Sequence, residues 1–238
     1  MDGKTLGVLG GMGPEATALF FNKVVQNTIA ESDQEHINIM VLNHATIPDR
    51  TKLIKDNQAE EFFKSIKNDF DLFEKAAVNH LAIPCNTSHY YYEEMQAMTH
   101  IPIINMIDET VKELKKQYGS NNKIAILATD GTIQTNIYGK SCEKHKIDYH
   151  VPEDPIQEEV MGIIYSVKKG ARVSPKRLER IIDTMLEVNK CSAVILGCTE
   201  LSTLPINHSY KKKTIDPLEV LVHKSITLAD KNSKLNFG

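Results

Sequence analysis

AVILGCTELSTLP, residues 193–205, runs from four apolar residues through a glycine to a cysteine, a threonine and an acid. AIPCNTSHYYYEEM, residues 82–95, has a similar order: the end of a short apolar run, then Cys85, then a polar segment of helical character. A short apolar run bounded by turn residues reads as a buried parallel strand, and the longer segment after it as the helix of a crossover. A cysteine that only packs belongs inside the apolar run, where it behaves as a small hydrophobe. One placed just past the strand's carboxyl end stands where parallel α/β sheets bind their ligands, and both Cys85 and Cys198 stand there.

Working outward, the same alternation fills the chain. LGVLG (6–10), INIMVLN (37–43), HLAI (80–83), IPIINM (101–106), KIAILA (123–128), a short segment near Tyr149 and AVIL (193–196) read as strands. Between them lie amphipathic segments. Pro14 and Glu15 open one whose apolar face is Ala16, Leu19, Phe20 and Val24; another carries Phe62, Ile66, Phe70, Phe73 and Ala77. Others start near Ser88, close at Gly119, start near Ile133, and open with Ser174 as N-cap and Pro175 at the first helical position. Asp216, Pro217 and Glu219 open the last. Such alternation specifies an α/β fold in which parallel sheets are flanked by helices.

The pattern also repeats. The strand starting at Leu6 matches the one at Ile124, a shift of 118 (124 − 6), and Cys85 matches Cys198, a shift of 113 (198 − 85). Two similar, pseudo-symmetric domains follow: residues 1–106 with 207–238 returning as a C-terminal helix, and residues 107–206. If the halves face each other, the two thiols face each other across a cleft that holds the site.

Composition narrows the classes of function. The 238 residues are 41% hydrophobic and 25% charged with a net charge of -3, which gives no electrostatic reason for a nucleic-acid partner. Lys211–Lys213 read as a solvated loop. No apolar run approaches the roughly 18–20 residues of a membrane span, and MDGKTLGV lacks the apolar region of a signal peptide, so a cytoplasmic protein is expected. The four cysteines form no CxxC pair and should be free thiols; the nine histidines show no metal-ligand spacing, so no metal is expected.

Two opposed thiols suit one kind of chemistry. Inverting a tetrahedral carbon by proton transfer needs a base on one face and an acid on the other. A thiolate removes the proton and a thiol returns one. A following helix N-terminus is expected to lower the pKa of each thiol through its positive dipole and unpaired N–H groups.

The motifs LGGMGPEAT (9–17), NHATIPDRT (43–51), IPCNTSH (83–89), LATDGT (127–132), YSVKKG (165–170) and GCTEL (197–201) resemble the aspartate/glutamate racemase superfamily over essentially the whole chain. Glu200, where the glutamate racemases typically carry histidine, favours the aspartate racemase branch. The resemblance implies cofactor-independent racemisation of an acidic amino acid by Cys85 and Cys198, in a homodimer. It also implies donors to the substrate α-carboxylate from Met12, Gly13, Asn86, Thr87, Thr129 and Thr199, and cationic contacts from Arg50 and Lys168, with Lys169 the alternative to Lys168. Arg50 could instead pair with Asp49 on the surface, and Lys168 could simply complement a helix dipole. Cys142 and Cys191 lack a comparable context and read as inert. Maleate isomerases and hydantoin racemases share the paired cysteines but fit the surrounding motifs less well. Arylmalonate decarboxylases keep only the second cysteine, and a non-catalytic amino-acid-binding protein would keep the cleft alone.

Overall fold

The computed structural model describes residues 3–120 and 122–237. The chain divides into two compact units, one running to Met106 and completed by Leu218–Phe237, the other comprising Ile107–Pro217.

In the first unit, β1 (Thr5–Gly10), β2 (Asn38–Asn43) and β3 (His80–Ala82) form a parallel sheet in the order β2-β1-β3. The central strand is buried along its whole length, as expected when both faces are covered by helices. Leu6 and Val8 pack with Phe20 and Val24 of the helix Pro14–Asn27 and with Leu218, Leu221, Val222 and Ile226 of the helix Pro217–Leu228. Leu9 belongs to a second core, filled by Phe62, Ile66, Phe70 and Phe73 of the helix Ala59–Lys75. Their spacing of three and four residues makes one apolar stripe, and each buried ring contributes about 1.5–3 kcal/mol.

In the second unit, β4 (Lys123–Ala128), β5 (Asp148–His150), β6 (Ala193–Gly197) and β7 (Thr214–Ile215) form a parallel sheet in the order β5-β4-β6-β7. Ala125, Leu127, Val194 and Leu196 pack against Val160, Ile163 and Ile164 of the helix Asp154–Lys168 and Leu178, Ile181 and Ile182 of the helix Pro175–Asp183.

The duplication is written into the strand register. Leu6 pairs with His80 and Ile124 with Ala193, so shifts of 118 (124 − 6) and 113 (193 − 80) relate the paired strands, and the second equals the shift between Cys85 and Cys198. The match continues beyond the core strands. Leu81 bridges Ile103 as Val194 pairs with Thr214, and the helices Met106–Tyr118 and Pro217–Leu228 come next in each half. Apart from its first residue, each of these helices belongs to the other unit from the strand it follows.

Several elements differ from the sequence expectation. Residues 101–106 contribute one bridge rather than a strand, because Pro102 has no N–H and the Ile103 N–H donates to Gln96 Oε1 at 2.9 Å. The chain rejoins the first unit at Leu218, later than residue 207, because Thr214–Ile215 pairs with β6. The segment expected as one helix from Ile133 is two, Asp130–Gln134 and Ile137–His145, separated where Asn136 takes a left-handed φ of 52°. After Cys85 a tight 3-10 turn, Thr87–Tyr91, precedes the helix Tyr92–Ala97. Ser174 is the N-cap residue and Pro175 opens the helix, but the serine side chain makes no capping hydrogen bond.

Gly11 holds the turn after β1 at a φ of +90°, and a Cβ there would lie 2.3 Å from the His44 carbonyl carbon. Gly11→Ala is therefore expected to cost at least about 1–3 kcal/mol, read as a lower urea midpoint. A midpoint equal to wild type would show that the close approach does not constrain the turn.

Candidate active site

The carboxyl edge of the first sheet gathers a set of donors. β1 runs into the turn that opens the helix Pro14–Asn27, and the Gly11 N–H donates to Thr17 Oγ1 at 2.9 Å while that hydroxyl donates to the Gly13 carbonyl at 3.0 Å. The Met12 and Gly13 N–H groups find no acceptor among the described residues, and they sit at the positive end of a 14-residue helix.

Arg50 lies beside that turn, at the start of the short helix Arg50–Lys55. It is not a surface partner of Asp49, whose carboxylate instead accepts from the Lys52 N–H at 3.0 Å. The guanidinium is buried, with 6% of the residue exposed. Its Nη1 donates to the carbonyls of Ile47 (3.2 Å) and Pro48 (2.9 Å), and Nη2 to that of Met12 (3.0 Å). Its Nε has no hydrogen-bond partner, and no carboxylate pairs with Arg50 among the described residues. A buried cation without a counter-anion is costly, so the arrangement suits an incoming anion.

Cys85 leaves β3 through a tight turn in which its N–H donates to the Ile83 carbonyl at 2.7 Å. Its own carbonyl accepts from Ser88 Oγ and His89 Nδ1, both at 2.8 Å. The other ring nitrogen of His89 lies 3.2 Å from the Met106 N–H and 3.4 Å from the Ile104 carbonyl, and the shorter contact, in which it accepts, suits a neutral imidazole with its proton on Nδ1. Burial, which lowers the pKa of this histidine, agrees. Asn86 and Thr87 follow, both buried, and the 3-10 turn they enter packs on the helix Arg50–Lys55. Met12 and Cys85 share one apolar core. The structure thus brings Met12, Gly13, Arg50, Cys85, Asn86 and Thr87 to one sheet edge.

In the second unit Ala128 pairs with Gly197, so Thr129 and Cys198 leave neighbouring strands side by side. Thr129 caps the helix Asp130–Gln134, its Oγ1 accepting from the Thr132 N–H at 3.2 Å. Cys198 Sγ donates to Glu200 Oε2 at 2.9 Å, and Thr199 Oγ1 reaches the same oxygen at 3.5 Å. The short helix Thr199–Ser202 packs on the helix that ends at Lys168. Lys168 is exposed, with Nζ 5.0 Å from the centre of the Tyr165 ring.

The expected lowering of both thiol pKa values does not hold at Cys198. Burial and then the Glu200 carboxylate push this thiol well above its ordinary range, with the Lys168 charge opposing them. The reason is local: the helix after Cys198 spans only Thr199–Ser202, and its acid folds back onto the sulfur. Burial pushes the Cys142 thiol up to about 12 and raises that of Cys191, in keeping with packed roles.

Two polar pairs escaped the sequence reading. Glu200 was visible in GCTEL, and an acid two residues beyond a strand-end cysteine is the signal that could have flagged it. His44, just past β2, donates through Nδ1 to Asp69 Oδ2 at 2.7 Å. No local pattern connects those two positions.

Residues 9–224 match the model of the family described as Asp/Glu/Hydantoin racemase. The chain belongs to this family. Racemases are isomerases, and this chain is an enzyme of that class. Among solved structures, this racemase resembles Picrophilus torridus aspartate racemase at 31% identity and a TM-score of 0.84, covering 99% of this chain and 98% of that one. An aspartate racemase homologue from Pyrococcus horikoshii OT3 matches at 25% identity and a TM-score of 0.77, covering 95% and 99%. The broad specificity amino-acid racemase RacX of Bacillus subtilis is 27% identical over 205 residues, which is 84% of this chain and 86% of that protein. No helix among the described residues is long and apolar enough to cross a membrane.

His89 supplies a test of the loop that carries Cys85. Its pKa lies below the ordinary 6.5, so as pH falls through about 6.5 the unfolded chain binds a proton that the folded chain refuses. Stability is complete above that pH and declines below it, until the folded ring itself titrates. Urea midpoints at about pH 7.5 and about pH 5.5 should therefore differ more for wild type than for His89→Asn. His80, lowered by burial as well, acts in the same sense and remains in both proteins. Equal acid sensitivity in the two proteins would remove His89 from this role.

Proposed function

We propose that this chain racemises an acidic amino acid at its α-carbon, aspartate first and glutamate next, by two-base proton transfer between Cys85 and Cys198. The observation that carries the reading is the matched register. The same shift of 113 relates the strands (193 − 80) and the two cysteines beyond their ends (198 − 85). One cysteine as thiolate removes the α-proton and the other as thiol protonates the opposite face.

Loss of the α-proton moves negative charge onto the α-carboxylate. The N–H groups of Met12 and Gly13, with Asn86, Thr87, Thr129 and Thr199, are assigned to hold that charge where it develops. Arg50, buried without a counter-anion, is assigned to the second carboxylate, with Lys168 contributing positive charge. Likeness to the Picrophilus torridus aspartate racemase favours aspartate, whereas the Bacillus subtilis relative admits broader specificity. The reading includes no pyridoxal phosphate or metal, and a cytoplasmic homodimer.

Proton NMR of L-aspartate, L-glutamate and L-alanine, each incubated with the protein in D₂O without added cofactor, tests the reaction and the substrate together. Loss of the α-proton signal from aspartate alone is expected; no loss from any of the three would overturn the assignment. Cys85→Ala and Cys198→Ala are each expected to slow exchange at least about a thousandfold, and either Cys→Ser change to remove most of it, since an alkoxide is far less accessible than a thiolate. Near-normal turnover in either alanine variant would refute the paired-thiol mechanism.

A further inference from the structure

Cys198 and Cys85 occupy equivalent places in duplicated sheets, yet their surroundings are not equivalent. Cys198 Sγ donates to a carboxylate oxygen of Glu200 at 2.9 Å, and both residues are 5% exposed. The acidic side chain two residues after Cys85 is missing: that position is Thr87. We propose that Glu200 is the proton acceptor of Cys198, so that Cys198 rests as a thiol and becomes a thiolate only when Glu200 takes its proton. The step balances within the pair: the S–H bond breaks, an O–H bond forms on Glu200 Oε2, and the electron pair stays on sulfur.

The geometry supports transfer rather than mere packing. Cys198 Sγ lies within hydrogen-bond distance of the oxygen that would receive its proton, at 2.9 Å, so no side chain has to move. Both groups are withdrawn from water, where an unshared second charge would be costly, and passing the proton keeps the net charge of the pair constant. Among the described residues, other titratable groups bear on the sulfur or on its neighbour. Lys168, on the packed helix, favours the thiolate, whereas Tyr138, fully buried on the helix Ile137–His145, and Asp216, which acts on Tyr138, add no positive charge. Thr199 Oγ1 reaches the same Glu200 oxygen and stabilises its charged form. Glu200 is a positioning residue, since it acts on substrate only through Cys198.

This inference rests on the proton-transfer role proposed for Cys198, but its first test needs no substrate. The thiolate of Cys198 is followed by its ultraviolet absorbance against pH, as the difference between each protein and its Cys198→Ala counterpart. Glu200→Gln, which keeps the side-chain shape, is expected to lower the midpoint by at least about one pH unit, and Glu200→Asp to keep it near wild type. An unchanged midpoint in Glu200→Gln would overturn the proposal.

The second test reads the transfer itself. Glu200→Ala should slow α-proton exchange of aspartate at least about tenfold, and added formate, which can occupy the vacated carboxylate position, should restore part of the rate. Formate should do nothing for Cys198→Ala. A Glu200→Ala protein that formate cannot rescue would overturn the acceptor role even if the midpoint had moved. Because two enantiomers have equal free energy, kcat/KM must stay equal in the two directions for every variant. The inequality of the thiols is therefore expected as separate changes in kcat and KM, unequal between the D and L substrates, in Glu200→Gln. Absence of exchange in wild type would refute the proposed reaction, while the titration would still decide whether Glu200 governs this thiol.

Discussion

Parallel pairing of two strands within each unit is the constraint on which the rest depends. Ala128 opposite Gly197 and Val8 opposite Ala82 set where each chain leaves its sheet. A slip of one residue would turn every side chain of a strand to the other face and carry the cysteine beyond it out of place. Gly197 shows how close the fit is, since a Cβ there would stand 3.1 Å from the Ala128 Cβ and 3.2 Å from the Tyr138 ring. The tight end of β6 is what lets Cys198 follow Gly197 beside Thr129.

Within this duplicated frame the chemistry has diverged. The first unit surrounds its cysteine with groups that give hydrogen bonds or positive charge: free N–H groups at a helix start, a buried guanidinium, and a neutral histidine holding the loop. The second surrounds its cysteine with a carboxylate that receives from it. Equivalent strand positions therefore have different surroundings: position 200 is an acid that receives from Cys198, whereas position 87 is a threonine.

The two helices that follow the last strand of each half belong to the other unit, apart from their first residues. The core of the first unit is therefore completed by a helix from the far end of the sequence. Leu218, Leu221, Val222 and Ile226 fill the core around Leu6 and Val8, so the first 106 residues do not contain all of that unit's apolar packing.

The amino-acid sequence by itself determined the strand-helix alternation, the two shifts and the position of both cysteines just past strand ends. These are properties of neighbours along the chain, set by apolar periodicity and by turn residues such as Gly11 and Pro14. The family resemblance was legible for the same reason, carried by contiguous motifs around those turns. Tertiary structure alone decided that Gln96 takes the Ile103 N–H, that Arg50 is buried without a counter-anion among the described residues, and that His44 meets Asp69. It also decided that burial, and then the Glu200 carboxylate, raise the pKa of the Cys198 thiol. Burial and hydrogen-bond partners arise from groups brought together through space, and the free energy of a charge depends on them far more than on the residues next to it in sequence.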